Sequence, residues 1–250
     1  MPTQIPSVFH LSGQAADDTA AFPDPRLCTH PDGLLAWGGD CAPSRLLSAY
    51  QQGIFPWYEE GGPVLWWSPD PRMVFDLSTF QLPKRLTRQL RHSRWSLTFD
   101  EAFSEVITAC AGPRRGESGT WITPALSHGF NELHALGWAH SLEIWEEDEL
   151  IGGLYGLAVG RVFCAESKFH RKTNASKVAL GCLLHTLKRW SFDLVDCQVH
   201  NPHLVRLGAM DVPRARFLEI LKRGCERRTT HPRQEPGRWN HDRFRVCDVL

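Results

Sequence analysis

Phe163-Cys164-Ala165-Glu166-Ser167-Lys168-Phe169 and Asp196-Cys197-Gln198-Val199-His200-Asn201 decide the reading of this chain. Each resembles a β-strand, yet each carries an acid where a core strand should have none. Residues two apart in a strand share a face, so Asp196 and Gln198 are expected to point one way, and Cys164, Glu166 and Lys168 likewise. Between the two lies a helix-length segment, Asn174 to Lys188. The Asn174 side chain is expected to cap it, and Val178, Cys182, Leu183 and Leu187 to give its apolar face. Two acid-bearing strands joined by a helical crossover point to a polar site. A solvent-facing strand edge would also be polar, and these residues alone leave that alternative open.

Working outward, residues 139–169 predict a β-meander, with strands over His140–Trp145, Leu150–Leu157 and Val162–Phe169. Phe192–Val199 is the next strand, expected to pair with the meander, and a helix follows over Ala215–Lys222. Meander, helix, strand and helix in that order make an α+β fold. Toward the N-terminus, Pro43–Gln52 predicts a short helix with an early proline and Gly53 at its end. Four prolines and three glycines between Gly53 and Arg72 exclude a continuous helix, so Phe55, Trp57, Tyr58, Trp66 and Trp67 are expected on a constrained loop. They serve either as an aromatic wall for a ligand or as a core between domains. A boundary near residue 70 divides the chain into a small domain over 1–70 and a larger one over 71–250. Residues 1–33 read as loop with room for one short strand, and the Arg-rich tail from 224 to 250 is expected to be loosely packed.

The 250 residues suffice for a sizeable core, and the formal net charge is zero, so attraction to a polyanion must come from a local patch. One such patch is predicted on a helix over Leu82–His92. Leu82, Leu86 and Leu90 form its buried stripe, Lys84, Arg88 and Arg91 the opposite face, Arg85 the flank, and Arg94 lies just beyond. No acid occurs from Leu77 to Phe99, whereas a merely solvated face usually mixes signs. No apolar run approaches the roughly 18 residues that cross a bilayer, and Met1–Gln14 lacks the pattern of a secretory leader. The eight cysteines form no C-x-x-C pair, which argues for reduced thiols in the cytoplasm and against zinc. There is no phosphate-binding G-x-x-x-x-G-K-[ST], no G-x-S-x-G and no H-E-x-x-H. His200 and His203 lack a third ligand at metal spacing, so no metal is expected.

Several further stretches carry a resemblance. They are Pro31-Asp32-Gly33-Leu34-Leu35-Ala36, Gly38-Gly39-Asp40, Gly53-Ile54-Phe55-Pro56-Trp57, Leu65-Trp66-Trp67-Ser68-Pro69-Asp70-Pro71-Arg72, Gly119-Thr120-Trp121-Ile122-Thr123, Asn174-Ala175-Ser176-Lys177 and Asp196-Cys197-Gln198-Val199. In this order, and with Phe163-Cys164 and Glu166-Ser167, they resemble the bacterial leucyl/phenylalanyl-tRNA–protein transferases over most of residues 22–222. The resemblance implies a small N-terminal α/β domain followed by a GNAT-like, acetyltransferase-type domain. It implies transfer of Leu or Phe from Leu-tRNA or Phe-tRNA to the α-amine of proteins beginning with Arg or Lys, marking them for the N-degron pathway. No cofactor and no membrane are implied, because the aminoacyl ester arrives already activated.

The same resemblance assigns Asp196 and Gln198 to a catalytic relay and Glu166, grouped here with these catalytic residues, to substrate binding. A carboxamide is a very poor base, so Gln198 is expected to position the amine, Asp196 to orient Gln198, and Glu166 to hold the acceptor's N-terminus. Trp57 and Trp121 match positions around the terminal adenosine and its aminoacyl group. Leu154, Phe163, Lys168, Leu183, Leu187 and Val195 match the amino-acid pocket, and Lys84, Arg85, Arg88, Arg91 and Arg94 are the expected tRNA contacts. Two residues depart from the family's habit: Ala165 stands for the usual Gly and Lys168 for the usual Met. The Lys168 ammonium is expected to leave the pocket toward Glu166. These departures keep open a donor carrying a different aminoacyl or acyl group. A CoA-dependent acyltransferase is disfavoured because His170–Ser176 has no glycine for a pyrophosphate loop. A non-catalytic tRNA-binding module would not need Asp196 or Gln198.

Overall fold

The structure is a computed structural model that describes residues 8–11, 22–112, 120–226, 237, 239 and 242–249. The first part builds a small sheet from β1 (Phe9–Leu11), β2 (Leu34–Gly38), β3 (Phe55–Pro56) and β4 (Leu65–Trp67), with helix α1 (Pro43–Gln51) between β2 and β3. The strand order β1-β2-β4-β3 leaves β3 at an edge, the place where a strand tolerates Pro56. The segment expected as loop therefore contains two short strands. Its aromatics divide: Trp66 is wholly buried, while Trp57 remains 45% exposed.

The larger sheet takes strands from along the rest of the chain. In chain order come β5 (Arg72–Asp76), α2 (Lys84–Arg91), β6 (Ser96–Phe99), α3 (Phe103–Ala111), α4 (Pro124–Ala135), β7 (Ala139–Glu146) and β8 (Glu149–Val159). Then follow β9 (Val162–His170), α5 (Ala175–Arg189), β10 (Leu194–Gln198), α6 (Pro202–Val205), β11 (Met210–Val212), α7 (Arg214–Glu226) and β12 (Phe244–Arg245). The order across the sheet is β11-β5-β10-β9-β8-β7-β6-β12. The meander pairs antiparallel, and α5 crosses over to set β10 parallel to β9, as the acid-bearing stretches predicted. The fold is mixed α+β.

Each face of this sheet buries its own core. On one face Leu154, Phe163 and Val195 pack under α5, which supplies Val178, Cys182, Leu183 and Leu187. On the other, Tyr155, Leu157 and Cys164 meet Leu46 and Tyr50 of α1, Phe103 of α3 and Phe130 of α4. Leu86 and Leu90 hold α2 against α5 at Gly181, where an added Cβ would lie 3.0 Å from the Leu86 side chain. The other side of α2 presents Lys84, Arg85, Arg88 and Arg91 to solvent, and Arg94 is exposed beyond it.

Three expectations need correction. Asn174 precedes α5 in a left-handed conformation, φ 71°, and its side chain makes no capping hydrogen bond. Residue 166 is the extra residue of a bulge in β9: Gly156 pairs with Ala165 and Tyr155 with Ser167. Gly156 permits this, since a Cβ there would lie 2.1 Å from the Cys164 carbonyl oxygen. The bulge reverses the alternation, so Lys168 pairs with Leu154 and takes the face opposite to Cys164. The expected common face of Cys164, Glu166 and Lys168 is not kept.

The third correction concerns the tail. Residues 227–236, 238, 240–241 and 250 lie outside the described residues, but Trp239 is 1% exposed. Its indole stacks on His140 at 4.0 Å between centroids and meets the rings of Phe99, Phe163 and Trp190. Its backbone N–H donates to Asp100 Oδ2 at 2.8 Å, the oxygen that also meets His140 Nδ1 at 2.8 Å. Among the described tail residues, Trp239 and Val246 are thus part of the core instead of lying loosely over it. Trp239→Ala is expected to cost about 3–5 kcal/mol, the range for removing a large core aromatic. Urea unfolding of wild type and variant measures it, and a loss below about 1 kcal/mol would show the indole is replaceable.

Candidate active site

The β9–β10 ladder ends at the pair Cys164–Asp196, and the two strands part beyond it. In β10, Cys197 is an extra residue, because Asp196 pairs with Val74 and Gln198 with Met73. Gln198 has φ 60°, an unusual conformation for a residue with a side chain. Asp196 and Gln198 therefore do not share a face by simple alternation. Their link is a backbone one: the Gln198 N–H donates to Asp196 Oδ1 at 3.0 Å. The Gln198 carboxamide turns instead to Glu166, donating from Nε2 to Oε1 at 2.8 Å.

Asp196 is fully buried, which a lone carboxylate could not sustain. Arg72, equally buried, supplies the answer with two parallel bonds, Nε to Oδ1 at 2.8 Å and Nη2 to Oδ2 at 2.7 Å. Its third donor, Nη1, reaches the Gly53 carbonyl at 3.0 Å, and its guanidinium lies over the rings of Phe55 and Phe217. Sequence reading missed Arg72. The available signal was an arginine opening the apolar run Met73-Val74-Phe75.

Where the strands part there is a cleft of about 630 Å³. Glu166 and Gln198 form part of its wall, together with Trp57, Trp121, Leu154 and Lys168. Asn174, Ser176 and Lys177, from the start of α5, and His203 from α6 also line it, and Glu166 is the sole carboxylate among the lining residues. Of the residues expected in the amino-acid pocket, Leu154 and Lys168 are thus on the wall. Phe163, Leu183, Leu187 and Val195 are wholly buried in the core beneath and do not line the cleft. Ala165, Leu180, Cys197 and Leu204 supply apolar wall that sequence reading did not single out. Lys168 lies within electrostatic reach of Cys197 and His203. The basic helix α2 runs beside α5, outside the cleft.

The sequence model described as leucyl/phenylalanyl-tRNA protein transferase matches residues 74–222, and that of the same family's N-terminal domain matches 39–70. A relative of that name from Shewanella denitrificans is 54% identical over 193 residues, 77% of this chain and 82% of the relative. The chain belongs to the leucyl/phenylalanyl-tRNA–protein transferase family. Another member, from Shewanella baltica, is 52% identical over 202 residues, covering 80% of this chain and 85% of its own. A functionally unknown conserved protein from Staphylococcus epidermidis has a solved structure with TM-score 0.40 and 9% identity, covering 57% of each chain. At that score the likeness says nothing of fold or function. As a family member this protein is an aminoacyltransferase, moving an aminoacyl group from tRNA to a protein.

Glu166, on the cleft wall, does not keep an ordinary carboxyl pKa. Removal from water pushes its pKa up to about 8, with the charge of Asp196 adding to the effect, while Tyr50, Arg72 and Gln198 pull the other way. The Glu166 residue is half-buried, with one side on the cleft wall.

Arg72→Met leaves the buried Asp196 charge uncompensated and is expected to cost about 3–5 kcal/mol in denaturant unfolding. The double variant Arg72→Met/Asp196→Leu should recover much of that stability and none of the transfer activity. Recovery of both would make the pair purely structural.

The folded chain holds a proton on Glu166 that the unfolded chain releases near its ordinary 4.5. Stability of the wild type should therefore fall, relative to Glu166→Gln, as pH rises from about 4.5 to 8, by at most about 1.4 kcal/mol per pH unit. Parallel unfolding curves of the two at pH 5 and pH 8 measure this. A constant difference would place Glu166 in an ordinary aqueous setting.

Proposed function

We propose that the cleft joins leucine or phenylalanine, carried on tRNA, to the α-amine of proteins beginning with Arg or Lys, marking them for N-degron degradation in the cytoplasm. The carrying observation is the Glu166–Gln198 pair at the point where β9 and β10 part. In this reading the strand opening and the α5 crossover belong to a GNAT-like domain spanning 71–250, with residues 1–70 as a smaller domain that lends Trp57 to the cleft.

The donor's 3′ end enters from the side of Lys168, Lys177 and the N-terminus of α5, where two ammonium groups and the positive end of the helix dipole suit phosphate. Trp57 and Trp121 flank the terminal adenosine, where stacking on an aromatic face contributes roughly 1–3 kcal/mol. Lys84, Arg85, Arg88, Arg91 and Arg94 hold the phosphate backbone farther out, an interaction indifferent to base sequence. The leucyl or phenylalanyl side chain rests on Leu154, Leu180 and the methylene stem of Lys168. Phe163, Leu183, Leu187 and Val195 form the packed layer behind that seat.

The reaction needs a neutral amine beside an ester carbonyl. Free N-terminal amines titrate near 7.7–8.0, close to the Glu166 carboxyl, so a proton passes between them at little cost. The ionised form of Glu166, a minority below about pH 8, takes one proton from the α-ammonium, and Gln198 holds carboxylate and amine in register. The nitrogen then bonds to the carbonyl carbon, the bond to the ribose 3′-oxygen breaks, and the proton that the nitrogen sheds passes to that oxygen, which leaves as a hydroxyl. The ester is already activated, so orientation can supply much of the rate. Asp196, locked by Arg72, fixes the Gln198 backbone and adds negative potential beside the developing ammonium.

Incubation with labelled Leu-tRNA or Phe-tRNA and short peptides tests this. Arg- and Lys-starting peptides should be labelled, N-acetylated ones should stay inert, and Glu166→Gln should lose at least a hundredfold in turnover with tRNA affinity kept. Lys168→Met should retain or improve use of both donors. A wild type that ignores both donors, while the Met variant accepts them, would assign the donor a polar side chain.

A further inference from the structure

A second cavity of about 480 Å³ adjoins the cleft and shares Phe55, Trp57 and Val199 with it. Its chemistry is the opposite of the cleft's. Its wall carries the carboxylates of Asp32 and Asp70, the indoles of Trp57 and Trp67, and no lysine or arginine. Among the described residues neither carboxylate has a cation for a partner: Asp70 Oδ1 accepts the Arg214 backbone N–H at 3.0 Å, and the Asp32 side chain is free in solvent. His200, also on the wall, turns its Nδ1 to Asp211 Oδ2 at 2.7 Å, adding a third acid at the rim.

The cavity is built and held. Buried Arg214 donates Nη1 to the Ser68 carbonyl at 2.6 Å and Nη2 to the Cys28 carbonyl at 3.0 Å, so its guanidinium ties together the two loops that bear Asp32 and Asp70. Those loops also meet directly: Ser68 N–H donates to the Gly33 carbonyl at 2.7 Å, and an added Cβ on Gly33, whose φ is 85°, would lie 2.4 Å from Pro69 Cα. Trp67 Nε1 donates to the Trp57 carbonyl at 2.7 Å, which sets the two indoles 6.1 Å apart between centroids.

We infer that this cavity is the acceptor's side-chain subsite, in which Asp32 and Asp70 receive the guanidinium or ammonium of the protein's first residue against the faces of Trp57 and Trp67. The inference rests on the proposed acceptor reading and deepens it. Indole faces and carboxylates together suit an organic cation. Placement agrees: Val199 follows Gln198 by one residue, and Asp70 precedes Arg72, the partner of Asp196, by two. An α-amine at Glu166 and Gln198 therefore has its side chain directed over Phe55 and Val199 into the acidic cavity. The two substrates are sorted by charge. The polyanionic donor is drawn to the lysine-lined cleft and repelled from the acidic cavity, which stays open to the cationic acceptor.

The test measures kcat/KM for peptides differing only in their first residue, Arg, Lys or norleucine, with Phe-tRNA as donor. Norleucine keeps the length of lysine's stem and lacks the charge. Wild type, Asp32→Asn, Asp70→Asn and the double variant are compared, with thermal unfolding to confirm folding. The expected result is an Arg-over-norleucine ratio that falls at least tenfold in the double variant and partly in each single one. Asp32→Asn alters no hydrogen bond within the fold, so a lowered ratio in that variant cannot come from misfolding. A ratio preserved in all three variants overturns the subsite. A ratio near one in the wild type overturns the acceptor reading itself.

Discussion

The Arg72–Asp196 pair is the constraint on which the site depends. The two residues are 124 apart in sequence, and their bidentate contact crosses from β5 to β10 within a fully buried setting. Either charge alone would be forbidden there, so each makes the other possible. The same guanidinium grips Gly53 at the end of α1 and lies over Phe55 and Phe217, which joins the small sheet, the large sheet and α7 at one point. With that corner fixed, Asp196 can hold the Gln198 N–H, and Gln198 can hold Glu166. The reacting wall is the outer end of a chain of contacts whose inner end is an ion pair.

Electrostatics then does what overall charge cannot. The chain is neutral in sum, yet its charges are segregated around the site. Lys168, Lys177 and the exposed cations of α2 lie toward one side, and Asp32, Asp70 and Asp211 toward the other. A balanced total keeps nonspecific attraction to nucleic acid low, while local fields of opposite sign are what the proposed pairing of a polyanionic donor with a cationic acceptor calls for.

Much of this was legible in residue order because the strongest signals were local. The meander, the α5 crossover and β10 follow from periodicity, and the acids at 166 and 196 announce themselves by standing in apolar strands. What escaped was non-local or off-period. The bulges at Glu166 and Cys197 insert one residue each, so counting by twos put Lys168 on the wrong face and gave Asp196 and Gln198 a common one. Strands β3 and β4 hid behind prolines and tryptophans, and α3 and α4 went unread between the recognised motifs. Asn174 looked like a cap by type, yet its left-handed backbone turns the side chain from that role. Trp239 sat among arginines, with nothing nearby to announce the hole it fills. Residue type alone could not separate Leu154, on the cleft wall, from Leu183, buried beneath it; only geometry does so.

The positive φ of Gln198 has an evolutionary consequence. Holding a residue with a Cβ in that region costs free energy that glycine would not incur. Selection for robustness alone would thus favour glycine at 198, and would likewise favour an uncharged side chain at the partly desolvated position 166. Both changes would delete the Glu166–Gln198 contact on the cleft wall, to which the proposed reaction is assigned. The two positions therefore mark where gains in durability and gains in turnover run in opposite directions. A laboratory lineage selected only for heat resistance would be expected to drift toward loss of function there first.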